Sequence, residues 1–242
     1  PAKSVCSPNT LTIGVSQSGE TKDTLDALFK AKKYHSHISS FCNVIGSTMA
    51  RLTGNGAYLH AGPEYAVAST KVFTNMVAVG LLFALNISNI PESEQKKIIQ
   101  ELRKLPNIIS SQLIDIDESI SRATELITNS NPPIFIGRGG LSSYLAKEGA
   151  LKMIEVSYIP CLSLPGGELK HGPIALISEG SPIIAIAPED SELNLMESSI
   201  RECKSRGAKI ILITDSEGPI VELADILIHT NSTHPDLSPF VN

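Results

Sequence analysis

Positive charge is in short supply in this chain. Lys and Arg number 20 against 25 Asp and Glu, a formal net charge of −5 over 242 residues. That balance argues against a nucleic-acid partner held through many phosphate contacts. Any anionic ligand has to be captured by local geometry. Cysteine is sparse too: Cys6, Cys42, Cys161 and Cys203 form no Cys-x-x-Cys pair, so neither a zinc site nor a redox motif is signalled. Cys42, Cys161 and Cys203 sit in or beside apolar runs, where buried thiols are the default. A reducing compartment, the cytoplasm, is expected. No signal peptide is evident, and the longest apolar stretch, Met76 to Leu85, is too short to span a bilayer and reads as a buried helix. Metal-ligand spacing is missing. No Gly-x-Gly-x-x-Gly follows a strand, and Gly137-Arg138-Gly139-Gly140 lacks the third spaced glycine of a dinucleotide site. The chain opens on Pro1 and closes on Pro239-Phe240-Val241-Asn242; both ends are expected to be cuts.

What is present is an ordinary globular composition, 42% apolar and 19% charged, arranged as alternating strand-like and helix-like runs. Strands are predicted at Leu11–Val15, Ile38–Val44 and Ala57–His60, then at Ile134–Gly137, Cys161–Leu164, Ile183–Ala187, Lys209–Thr214 and Ile226–His229. Helices are predicted at Thr21–Lys33, Ala66–Leu85, Ser142–Tyr158 and Leu193–Arg206. Continuous apolar strands between helices imply α/β architecture with parallel sheets covered on both faces. The order strand, loop, helix, strand, strand recurs from Ile13 and again from Ile184, which reads as an internal duplication. Each half has elements that the other lacks, so the intact protein is expected to extend beyond the chain at both ends. The domain reading is 1–90, a helical connector over 91–131 that Pro106 breaks into two helices, and 132–242.

The densest chemical signal is Ser16-Gln17-Ser18-Gly19-Glu20-Thr21, between a strand and a helix. A helix N-terminus there points unpaired N–H groups and the positive dipole end at the loop. Gly19 permits close backbone approach, and Ser16, Ser18 and Thr21 add hydroxyls. Such a loop binds phosphate without a Lys or Arg cluster. The plainer alternative is a capped turn, since Ser and Thr are ordinary N-caps.

Glu148, Lys152 and Glu155 follow at i, i+4 and i+7, one face of a helix. Ala146, Ala150, Leu151, Ile154 and Tyr158 are expected to supply its core face. A carboxylate beside a lysine suits proton transfer between adjacent carbons; a solvated charge stripe is the competing reading. His171 lies in Gly166-Gly167-Glu168-Leu169-Lys170-His171-Gly172-Pro173, read as a rigid loop presenting an imidazole framed by Glu168 and Lys170. Gly62 to Lys71 is read as opening a helix, with Ser69 and Thr70 facing a ligand or satisfying helix-end N–H groups. His229 and His234 are read as incidental.

Taken together, Ser16–Thr21, Ala61–Lys71, Glu148–Glu155 and Gly167–Pro173 resemble, in this order, the isomerase half of the glutamine–fructose-6-phosphate aminotransferases. The resemblance runs from about Leu11 to about Ile228. It implies two tandem sugar-isomerase (SIS) domains, each a doubly wound, flavodoxin-like parallel sheet. It implies that Ser16, Gln17, Ser18 and Thr21 hold a sugar phosphate and that Val67 and Ser69 contact the sugar. Glu155 is the implied base between C1 and C2, Lys152 and Glu148 its support, and His171 the ring opener, reaching the neighbouring subunit of a homodimer. No cofactor or metal is implied. A glutaminase domain is expected in the full-length protein. Tyr65-Ala66 departs from the family's Ile-Gly. Two alternatives stand beside this reading: a stand-alone sugar-phosphate isomerase or aminosugar-phosphate deaminase, and a non-catalytic sugar-phosphate sensor.

Overall fold

Side chains on a strand point alternately to opposite faces, so a strand that is apolar at every position must be covered on both sides. Ile183 to Ile186 are such a run, all buried. In the computed structural model, which describes residues 6–242, the chain forms two compact units, Pro1–Asn89 and Ile90–Asn242. Among the described residues no helix is long and apolar enough to cross a membrane.

The first unit holds a three-stranded parallel sheet, β1 (Leu11–Ser16), β2 (His37–Cys42) and β3 (Gly56–Tyr58), in that spatial order. Ile13 lies opposite Ser39, and Cys42 opposite Tyr58. Helices α1 (Lys22–Lys33) and α2 (Thr48–Thr53) cover one face through Leu28 and Met49. Helix α3 (Lys71–Ile87) covers the other, with Val72 beside Phe41 and Leu59 and an edge-on Phe41–Phe83 pair at 5.5 Å. Gly14 leaves room on the α1/α2 face, where a Cβ would strike Leu28 and Met49.

The second unit begins with α4 (Glu92–Leu102), α5 (Leu105–Asp115) and α6 (Asp117–Thr128). Three helices replace the two predicted. The expected break at Pro106 is there: α4 ends at Leu102, and Pro106 sits in the first turn of α5, where its missing N–H costs no bond; the second break, between α5 and α6, has no proline and lies outside the prediction. Then come β4 (Ile134–Gly137), α7 (Gly140–Ser157), β5 (Leu162–Pro165), β6 (Pro182–Ile186), α8 (Leu193–Lys204), β7 (Lys209–Thr214), β8 (Ile226–His229) and the short α9 (Ser238–Val241). All five strands are parallel, in the order β5-β4-β6-β7-β8. Numbered within the unit this is 2-1-3-4-5, the flavodoxin-like winding. Ile134, Ile136, Ile183, Ala185, Ile210 and Leu212 face α8, whereas Phe135, Ile184, Ile186, Ile211, Ile226 and Ile228 face α6 and α7. Buried Gln112 ties the C-terminal segment down: its amide donates to the Val241 carbonyl at 2.7 Å and accepts from the Asn231 N–H at 2.7 Å.

Both expectations about the sheets are met: each is parallel, and each carries helices on both faces. The strands β1-β2-β3 correspond in order and in parallel pairing to β6-β7-β8, as the duplication requires.

Candidate functional site

In parallel α/β sheets the crevice beyond the C-terminal strand ends is the place for a ligand. In the first unit that crevice is a cavity of about 610 Å³, whose walls include Gln17, Asn43, His60, Gly62 and Glu64. Gln17 belongs to the hydroxyl-rich loop. The other four come from the chain after β2 and β3.

The loop is organised from within. Ser16, buried at the end of β1, accepts the Gly19 N–H at 3.0 Å and faces the Thr21 hydroxyl at 3.3 Å. Ser18 accepts the Glu20 N–H at 3.1 Å. Gly19 is left-handed at φ +67, and a Cβ there would overlap Ser47 at the start of α2. The loop is pinned to that short helix twice more: Gly19 accepts the Met49 N–H at 3.0 Å, and Glu20 accepts the Thr48 N–H at 2.7 Å. The latter bond holds the Glu20 carboxyl below the ordinary carboxylate range.

Thr21 occupies the N-cap position of α1 but makes no capping bond. Its hydroxyl turns to Ser16 instead, and among the described residues no side chain caps the helix. The capped-turn alternative therefore fails here. The first-turn N–H groups of Lys22, Asp23 and Thr24 stay open, the arrangement that accommodates an anion.

The segment after β3 differs from its prediction. Helix α3 starts at Lys71, not Ala66, because the Glu64 carboxylate reaches across the loop and accepts the Val72 N–H at 2.9 Å. Ser69 and Thr70 thus precede the helix and cap nothing. Lys71 donates to the Pro63 carbonyl at 2.6 Å and lies 5.9 Å from the Tyr65 ring. Val67 and Tyr65 are exposed, and Ser69 is half-buried.

In the second unit, Glu148, Lys152 and Glu155 meet on α7, each about a quarter exposed. The Lys152 ammonium lies 2.6 Å from Glu155 and 3.3 Å from Glu148. Burial pulls the Lys152 pKa down, but the hydrogen bond to Glu155 and the charge of Glu148 outweigh it and leave it raised. The triplet is therefore a half-buried ion-pair cluster with Lys152 charged. Ala146 and Ala150 do form the core face of α7, and Phe135 packs where a Gly149 side chain would stand. Leu151, Ile154 and Tyr158, expected in the core, are exposed, and Tyr158 caps α7 in a left-handed conformation at φ +60.

His171 ends a 3-10 helix over Gly166–His171 rather than a simple loop. Buried Leu169 anchors that turn. Lys170 does not frame the imidazole; it pairs with Glu202 at 2.7 Å. His171 is exposed, and no hydrogen bond or ion pair joins it to the Glu148–Lys152–Glu155 cluster among the described residues.

The matching crevice of the second unit, about 540 Å³, is far more acidic. Glu189, Asp190, Glu192, Asp215 and Asp236 line it. Asp215 accepts the Glu189 N–H and Asp190 the Glu192 N–H, each at 2.8 Å. Arg138 of the glycine-rich turn pairs with Glu192 at 3.5 Å. Two loop N–H groups are taken by these carboxylates, and the crevice as a whole is acidic, so this strand end does not suit a phosphate. His234 is not isolated either: it lies 3.3 Å from Glu94 and holds the post-β8 segment to α4. Among the described residues, no group of three or more His, Cys, Asp or Glu is placed to hold a metal ion.

Sequence reasoning missed Asn43, His60 and Glu64. A lone Asn after a strand carries no pattern, and the reach of Glu64 to Val72 is visible only once the loop is folded.

Comparison with known proteins fits this geometry. The glutamine–fructose-6-phosphate aminotransferase [isomerizing] of Thermococcus kodakarensis is 39% identical over 236 residues, covering 96% of this chain and 39% of that protein. Its Bacteroides thetaiotaomicron counterpart is 38% identical over 234 residues, covering 95% and 38%. The chain thus spans about two fifths of the length of these relatives. The solved C-terminal domain of glucosamine-fructose-6-phosphate aminotransferase from Francisella tularensis matches with a TM-score of 0.87 at 34% identity, covering 95% of this chain and 66% of that one. The family model of the SIS domain matches twice, over residues 2–86 and 126–242, once on each unit and over most of the length, and this chain belongs to the SIS domain family.

Proposed function

We propose that this chain is the isomerase portion of a glutamine–fructose-6-phosphate aminotransferase, converting fructose 6-phosphate and ammonia to glucosamine 6-phosphate. The observation that carries the reading is the open N-terminus of α1, with its uncapped N–H groups behind a loop of three hydroxyls. In this reading Ser16, Gln17, Ser18 and Thr21 hold the phosphate, and Val67 and Ser69 contact the sugar.

Ammonia adds to C2 of the open-chain ketose and water leaves, giving an imine. Glu155 then takes a proton from C1 and returns it to C2, while the C1 hydroxyl proton passes to the nitrogen, so that C1 becomes the aldehyde and C2 carries the amine. The geometry suits this role. Glu155 Oε2 is held by Lys152, while Oε1 has no protein partner among the described residues. The Lys152 ammonium stands ready for negative charge developing on the C1 oxygen, and Glu148 fixes its position. His171, exposed on its turn, opens the sugar ring, and in a homodimer it serves the neighbouring copy. Pairing of two copies is supported by the uncovered apolar side chains of α7, with Tyr144 69%, Val156 68% and Tyr158 86% exposed. A glutaminase domain elsewhere in the intact protein supplies the ammonia, and the whole works in the cytoplasm.

The test is a product assay on the intact protein with glutamine or ammonium as nitrogen donor, alongside thermal shifts. Glucosamine 6-phosphate should form with either donor. Glu155→Gln should lose turnover and keep the thermal shift produced by fructose 6-phosphate. Equal shifts from fructose and fructose 6-phosphate would contradict the phosphate loop. Full turnover by Glu155→Gln would remove that residue as the base.

A further inference from the structure

The side chain of Asn43, the first residue after β2, is used twice on one stretch of backbone. Its Nδ2 donates to the Gly62 carbonyl at 2.7 Å, and its Oδ1 accepts the Ala61 N–H at 2.9 Å. Only this orientation of the amide satisfies both partners. Ladder pairing between β2 and β3 ends at Cys42 and Tyr58, with one further bond from the Leu59 N–H to the Cys42 carbonyl at 3.0 Å. The Asn43 side chain continues the rungs where the backbone can no longer do so. What it grips is unusual backbone: His60 and Gly62 are both left-handed, at φ +52 and +70. At His60, which carries a Cβ, such a conformation persists only where the surroundings over-determine it. The Asn43 main chain faces the other way and donates its N–H to the Gln17 carbonyl at 3.1 Å. Residue 43 therefore joins the hydroxyl loop through its backbone and the opposite wall of the cavity through its side chain. Gln17, Asn43, His60 and Gly62 all line that cavity.

We infer that Asn43 is a positioning residue that sets the gap between the phosphate-holding loop and the wall formed by His60 to Glu64, and so governs affinity for the sugar portion of the ligand. This rests on the reading of Ser16–Thr21 as a phosphate site. A substitution at position 43 keeps the backbone bond to Gln17, so the phosphate loop stays intact while the wall is freed. Preorganisation of the wall is lost and the sugar binds more weakly.

Dissociation constants for fructose 6-phosphate and inorganic phosphate are measured on the intact protein, its Asn43→Asp variant and its Asn43→Ala variant. Asn43→Asp keeps the shape and the acceptor for Ala61 but sets a carboxylate against the Gly62 carbonyl. Fructose 6-phosphate should bind both variants at least tenfold more weakly, with inorganic phosphate within twofold of wild type. Parallel losses for both ligands, or no loss for either, would overturn the inference. Wild-type protein that binds neither ligand would overturn the phosphate site itself, and this inference with it. Should neither variant fold, amide exchange at Ala61 in wild-type protein decides: slowing by fructose 6-phosphate and not by phosphate supports the role, and any other pattern refutes it.

Discussion

Gly19→Ala is the sharpest perturbation the candidate site permits. Two separate costs fall on it. The backbone at position 19 is left-handed at φ +67, which costs an L-residue about 1–2 kcal/mol. The new methyl also overlaps Ser47, whose hydroxyl accepts the Ala50 N–H as the N-cap of α2. Overpacking of that kind costs about 1–3 kcal/mol, and a displaced cap lies in a similar range, about 0.5–2 kcal/mol. The variant should therefore lose roughly 2–5 kcal/mol in urea denaturation followed by circular dichroism. Phosphate affinity should fall with it, since Gly19 bonds both Ser16 and Met49. The two costs can be separated. In a Ser47→Gly background the overlap is gone and only the φ cost remains, so Gly19→Ala should then cost about 1–2 kcal/mol. A Gly19→Ala variant within about 0.5 kcal/mol of wild type, or one equally destabilised in both backgrounds, would refute the packing of this loop on α2.

Lys152→Met should lower kcat by at least tenfold with a smaller change in KM, because it removes a cation assigned to the transition state. The raised pKa of Lys152 has a signed consequence: the stability contributed by the cluster is fully present below the unfolded lysine value of about 10.4 and disappears as pH rises through the folded value. Alkaline melts of wild type should show this loss, and those of Lys152→Met should not. At Asp225, burial raises the carboxyl but the Ile210 N–H, Lys209 and Lys204 outweigh it, leaving the pKa lowered. Its contribution is present above the unfolded value of about 3.9 and fades as pH falls toward the folded one, so Asp225→Asn should flatten the acid limb of a melting-temperature profile. Gln112→Leu strands the Val241 carbonyl and the Asn231 N–H; a loss of about 2–4 kcal/mol in chemical denaturation is expected, and an unchanged midpoint would show the C-terminal segment to be held otherwise.

Legibility in the sequence followed the range of the interactions involved. The strands Lys209–Thr214 and Ile226–His229 were placed to the residue, because uninterrupted β-branched runs between turns leave few alternatives. The hydroxyl loop was legible for the same reason: strand, small polar residues and helix follow directly in the chain. The Glu148, Lys152 and Glu155 contacts follow from helical spacing alone. What escaped depended on long reach. The six-residue α2 is fixed by Glu20 and Gly19 from 28 and 30 residues upstream, respectively, and its own sequence carries little helical pattern. Ala66-Val67-Ala68 reads as helix until Glu64 sets the start at Lys71. Tyr158 fits a core stripe by spacing, yet the helix ends there in a left-handed cap that turns the ring outward.

The duplication sets two differently lined crevices on one backbone plan. β1 and β6 occupy equivalent places, and each delivers its loop to the C-terminal edge of a parallel sheet, where backbone N–H groups converge. After β1 the side chains are small hydroxyls that bond the loop to itself, leaving the first turn of α1 open. After β6 the side chains are carboxylates, and Asp215 and Asp190 occupy N–H groups of Glu189 and Glu192. An intramolecular carboxylate is a permanent anion in that position. It fills those loop donors at no cost in ligand ordering and repels a second negative charge. The backbone plan is shared by the two halves; the side chains at the strand ends set the charge that each crevice presents.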